Sequence, residues 1–119
     1  MLGSVGTVLS MKSADLFTEI MAIYRKHGWR LRSVLLRPET RVELQLPENI
    51  PVKDATFDAL WLSRPSHNDR EAWELRLLAQ TQYALFETFE ADETEEERDD
   101  LKLEMEARLR EYLATDKRG

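Results

Sequence analysis

The sequence predicts an α+β domain: a four- to five-stranded antiparallel meander sheet with an amphipathic helix at each end, in the order α-β-β-β-β-(β)-α. Three observations lead there. Between Thr56 and Phe89 the chain alternates through Phe57, Ala59 and Trp61 and again through Trp73, Leu75 and Leu77, with Glu74 and Arg76 between the latter. That is the period of a strand with one buried face. Helical periodicity brackets the stretch on both sides. At 119 residues, 42% apolar and 34% charged, the chain has the length and balance of one folded domain.

In order along the chain, residues 1–12 lack periodicity and read as a flexible arm whose first ten residues can be deleted without lowering the melting temperature. Residues 13–115 form the domain. Ser13 suits a helix N-cap, with Asp15 in the first turn. Leu16, Phe17, Ile20, Ile23 and Tyr24 then make one apolar stripe, and Gly28 supplies the left-handed residue that ends the helix. Trp29 to Leu36 alternates as a first strand. Thr40 to Leu46 follows as an edge strand, against a competing short helix with Pro38 at its first position. Pro47 and Pro51 bracket a loop. The central hairpin spans the polar turn Arg64–Arg70. Tyr83 to Phe89 is read as a fifth strand on its aromatic content, in preference to a helical turn. Thr94-Glu95-Glu96-Glu97 is a capping box opening a last helix with Leu101, Met105, Leu109, Tyr112 and Leu113 inward. Glu104–Arg108 and Glu106–Arg110 are expected to pair along it, and 116–119 form a disordered tail.

The charge is unevenly spread. The net charge is −6. From Glu87 to Glu106 eleven acids face two bases, a net of −9, so the rest of the chain carries +3. Such a field repels phosphate, and no nucleic-acid partner is expected. The order helix–strands–helix is similar to that of the double-stranded-RNA-binding domains, but where they carry a lysine cluster this chain has Glu95-Glu96-Glu97. No cysteine is present, which fits a reducing compartment and excludes thiolate chemistry. No apolar run approaches the length of a membrane helix, the first ten residues make a poor signal peptide, and the cytoplasm is the default location. His27 and His67 lack metal-ligand spacing, and neither a nucleophile elbow nor a phosphate loop occurs. No cofactor, metal or catalytic residue is therefore assigned.

With both helices on the tryptophan face (Trp29, Trp61, Trp73), the opposite phase stays open. That phase carries Val34, Leu36, Leu60, Leu62 and Leu78 among Arg30, Arg32 and Arg76. So large an apolar patch asks for company, and the expected function is a non-enzymatic interaction module: a small acidic homodimer, or an adaptor or chaperone-like binder of another protein. In outline this layout is similar to the bacterial secretion-type chaperones. Two alternatives compete. One helix on each face closes the patch, and a small-ligand or nucleotide-handling site forms from Arg64, His67 and Arg70 beside the basic first strand.

Overall fold

The first helix, α1, spans Ser13–Lys26 in the computed structural model, which describes residues 12–116. Residues 1–11 of the expected arm and 117–119 of the expected tail lie outside the described residues. Ser13 is the first helical residue rather than the cap, since the Leu16 amide donates to Lys12 O. The buried stripe is Leu16, Phe17, Ile20 and Met21, while Ile23 turns outward. At the other end Gly28 adopts φ +86°, Gly28 N–H donates to Arg25 O, and Trp29 N–H donates to Tyr24 O at 3.0 Å. This 6→1, 5→2 pair is a Schellman motif, and its apolar contact is Tyr24 against Trp29, ring centroids 6.0 Å apart. A Cβ on Gly28 meets nothing within 4 Å, so Gly28→Ala is expected to cost only its left-handed strain, about 1 kcal/mol. Gly28→Asn should cost less, as thermal melts of the two variants will show.

Strand β1 (Arg30–Leu36) leads into the short α2 (Pro38–Arg41), followed by β2 (Val52–Asp54), β3 (Ala59–Pro65), β4 (Glu71–Leu77), β5 (Ala84–Phe89) and the long α3 (Glu95–Asp116). The sheet order is β2-β1-β3-β4-β5. It is mixed: β2 runs parallel to β1 and the other neighbours are antiparallel. The α+β class therefore holds, but the antiparallel meander is corrected. The expected strand over Thr40–Leu46 is absent, because Pro38 opens a helical turn and Thr40 is drawn to a buried carboxylate on Asp58. Leu44 and Leu46 pack on the α1 side of the sheet as part of the crossover to β2. Fifth strand and capping box form as the sequence implies, Thr94 and Glu97 exchanging hydrogen bonds at 2.9 and 3.1 Å.

The helices do not share a face. On one side α1 packs Leu16, Phe17, Ile20 and Met21 onto Val34, Leu36, Leu60 and Leu62. On the other α3 packs Met105 and Leu109 onto Trp61, Trp73, Leu75 and Phe89. The result is three layers, helix–sheet–helix, and the arrangement with both helices on one face is overturned. Trp29 belongs to the α1 layer, away from the other two tryptophans, because the Schellman turn folds it back onto Tyr24. A β-bulge between Leu31 and Ser33 shifts the register of β1. Leu31 consequently lies with the α1 cluster while Arg32 crosses to the other side, its guanidinium 5.0 Å from the Trp73 ring centroid. Glu106 also departs from expectation. Rather than pairing with Arg110, its carboxylate turns inward, accepting from Trp61 Nε1 at 2.9 Å and Lys53 Nζ at 3.2 Å, and so pins α3 to the sheet.

Candidate functional site

The five apolar residues expected to form an open docking face are all buried. Val34, Leu36, Leu60 and Leu62 are at 0% exposure, and Leu78 is at 6%. Helix α1 roofs them, so a dimer through Leu60 and Leu62 has no surface to use. Arg76, expected beside them, is buried and closes the β4–β5 connection by donating to Leu77 O and Thr81 O at 2.7 and 3.2 Å. Arg32 donates to Ser63 Oγ on the α3 side, and Arg30 stays exposed at the start of β1.

The residues of the alternative ligand site are scattered among other tasks. Arg64 lies over the Trp29 ring and donates to His27 O at 2.7 Å. Arg70 pairs with Glu90 at 3.1 Å. His67 sits on the tight turn after β3, where Asn68 and Asp69 take left-handed φ values of 58° and 62°. Asparagine and aspartate tolerate that conformation better than most residues.

What α1 leaves uncovered is the outer part of its own face, over β4 and β5. There a groove of about 430 Å³ runs between the helix and the sheet. Ile20, Ile23 and Tyr24 form its wall, and Glu74, Arg76 and Ala84 its floor. Two large apolar side chains stand exposed in this region, Ile23 at 55% and Phe86 at 58%. Phe86 meets Trp29 edge-on, centroids 6.3 Å apart, so Tyr24, Trp29 and Phe86 form an aromatic row from the helix to the last strand. Sequence periodicity hides this site. Ile23 fits an apolar helix stripe, and Phe86 fits a strand whose partner layer only the structure reveals.

The polar pair in the groove is Tyr24 and Glu74. The Tyr24 hydroxyl donates to Glu74 Oε2, joining residues fifty positions apart. Burial, and then the neighbouring Glu74 carboxylate, push the Tyr24 hydroxyl above its ordinary titration range, with Arg76 opposing. Tyr24 should therefore ionise only above the ordinary tyrosine range, and Tyr24→Phe should remove that late step from the absorbance titration. Because its folded pKa is the higher one, the phenol stabilises the fold fully below the unfolded value. That contribution is lost as pH rises through the folded value.

A second cleft, of about 460 Å³, opens between α3 and β1 on the opposite face. Its cations are engaged within the protein: Lys53 with Glu106, and both Arg32 and Lys102 on the Trp73 ring, Lys102 Nζ 3.7 Å from the centroid. Burial, chiefly, lowers the Lys102 pKa. Lined by acids and bases together, this cleft has no dominant charge to offer a ligand. Among the described residues there is no group of three or more His, Asp or Glu placed to hold a metal, and no helix long and apolar enough to cross a membrane. Compared with protein-family models, curated proteins and solved structures, the chain matches none.

Proposed function

We propose that this chain is a protein-interaction module without chemistry of its own, and that it meets its target along the margin where α1 stops short of β5. The observation that carries this reading is Phe86, a large aromatic side chain 58% exposed on a sheet surface that no helix among the described residues covers, with Ile23 exposed across the groove. Isolated exposed apolar residues are ordinary, but two beside an apolar-walled groove form the kind of patch that partners bury. The polar groups on its floor and wall are engaged within the protein: Tyr24 donates to Glu74, and Arg76 donates to backbone carbonyls. The homodimer expected through the leucine face gives way to a different surface on the same protein.

A photo-crosslinking side chain in place of Phe86 is expected to join the protein to another polypeptide in its host. The same group in place of Val42, which is 85% exposed on a different part of the surface, serves as control and should not. Equal labelling from both positions, or labelling of small molecules alone, overturns the reading.

A further inference from the structure

We infer that the partner, a separate protein, presents an arginine whose guanidinium lies against Phe86 and pairs with the Glu74 carboxylate. This deepens the interaction-module reading and rests on it. The sheet brings the two side chains together. Leu62 pairs with Glu74 and Glu74 pairs with Phe86, so the three stand in one row across β3, β4 and β5. Residues directly opposite in an antiparallel ladder share a face, with Cβ atoms about 4.5–5.5 Å apart. Leu62 lies in the buried α1 cluster, Glu74 is half-buried, and Phe86 is exposed, so the row runs out from under the helix. Tyr24 reaches down from α1 to donate to Glu74 Oε2. Trp29, itself buried, meets Tyr24 at an interplanar angle of 68° and Phe86 at 80°, and so props the exposed ring edge-on.

Any partner that buries Phe86 must therefore also take water from Glu74. The Tyr24 hydroxyl serves one carboxylate oxygen but brings no positive charge. Among the described residues no lysine or arginine forms an ion pair with Glu74. Arg76, two residues along β4, donates to Leu77 O and Thr81 O instead, and Arg64 donates to His27 O. An apolar side chain laid over this row would leave the carboxylate buried without a counter-charge, which is strongly unfavourable. An acidic one would add repulsion. Whatever covers Phe86 must supply a cation, and the surroundings favour arginine over lysine. A guanidinium is planar and weakly hydrated, stacks on aromatic rings and forks onto a carboxylate, whereas an ammonium is a compact charge that holds its water. The apolar stem of an arginine also has Ile23, exposed on the wall of the groove, to lie against. The protein already seats one of its own arginines on this aromatic row, with the Arg64 guanidinium 4.9 Å from the Trp29 ring centroid.

The probe is a short peptide, blocked at both ends, with arginine flanked by valines, titrated into the full chain by NMR. Its counterpart carries citrulline, which keeps the shape of arginine without the charge. The arginine peptide should shift the amide resonances of Glu74 and Phe86 and bind about tenfold more tightly than the citrulline one. A lysine peptide should fall between them. Glu74→Gln keeps an acceptor for Tyr24, so it should hold the parent's melting temperature while erasing the arginine–citrulline difference. Phe86→Ala, at an exposed position, should weaken the arginine peptide and leave the fold intact. Equal affinity for arginine and citrulline, or a difference that survives Glu74→Gln, overturns the proposal. Equal affinity for lysine removes arginine as the selected group. N-methylguanidinium binding as tightly as the peptide would give the groove to a small organic cation instead. A native mass of twice 14.0 kDa that Glu74→Gln halves would make a second copy the occupant. In the host, the crosslink from position 86 should fail in Glu74→Gln. A crosslink that persists there leaves the interaction module standing and removes the arginine. If position 86 meets no polypeptide, both fall.

Discussion

Leu60→Glu is expected to abolish cooperative folding of the subunit. Leu60 sits at 0% exposure on β3, the central strand, between β1 and β4 and beneath α1. A carboxylate there has Val34, Leu36 and the underside of α1 for neighbours, and the one cation beside it, Arg76 across the β4 ladder, is already committed to Leu77 O and Thr81 O. An unpaired buried charge costs at least several kcal/mol even after it shifts its pKa to escape ionisation. A domain of this size has about 5–15 kcal/mol of stability in all. Circular dichroism should show loss of the cooperative melt for Leu60→Glu, whereas Leu60→Met should cost less than about 1.5 kcal/mol. The matching change at the exposed margin, Phe86→Glu, should stay within about 0.5 kcal/mol of the parent. If Leu60→Glu melts like the parent, α1 does not roof the sheet as described, and the leucine face becomes available for docking again.

The contrast between Leu60 and Phe86 marks where sequence reasoning stopped. Alternation places Leu60 and Trp61 on opposite faces of the sheet, and both phases of β3 are apolar: Ala59, Leu60, Trp61 and Leu62 are all buried. Such a run is the signature of a strand covered on both sides. Weighing the three tryptophans as one set steered both helices to a single face. Trp29 does not belong to that set, because Gly28 starts a Schellman turn whose second residue folds back on the helix, and period-two counting cannot register such a turn. The bulge at Arg32 then inverts the parity of the first half of β1. Strand β2, three residues long, offers no period to read, and its parallel pairing with β1 depends on the whole crossover. Features encoded over a few residues were legible: the left-handed Gly28, the Thr94–Glu97 box and the aromatic-rich β5. Which strip of sheet α1 leaves bare depends on where a helix lands, a property of packing that no local window contains.

Asp58→Ala is the second large effect expected, and its size should exceed anything its ion pair accounts for. The Asp58 carboxylate, 7% exposed, accepts from Arg37 N at 2.8 Å, Thr40 Oγ1 at 2.7 Å, and the Arg37 guanidinium at 2.9 and 3.1 Å. Its own carbonyl accepts from Leu78 N at 2.9 Å. One residue thus joins the exit of β1, the first turn of α2, the entry to β3 and the end of β4. The carboxylate also holds the Arg37 guanidinium above its usual titration range. Arg37, however, is 46% exposed, and a pair so open to solvent contributes only about 0–1 kcal/mol. Thr40 is different: at 2% exposure its hydroxyl has no water to turn to. Removing the carboxylate leaves the Thr40 O–H without an acceptor, though its oxygen still accepts from Arg37 Nη2 at 3.3 Å, and frees the part-buried Arg37 amide, at about 1–3 kcal/mol for each buried donor left unpaired. Asp58→Ala should therefore cost about 3 kcal/mol in denaturant unfolding, and Arg37→Ala, which keeps its backbone amide, less than about 1 kcal/mol. Thr40→Val combined with Asp58→Ala should cost less than the two single changes summed, because the hydroxyl that Asp58 serves is then absent. Equal costs for Arg37→Ala and Asp58→Ala, with strict additivity at Thr40, would place the stabilisation in the ion pair and remove the buried hydroxyl from the account.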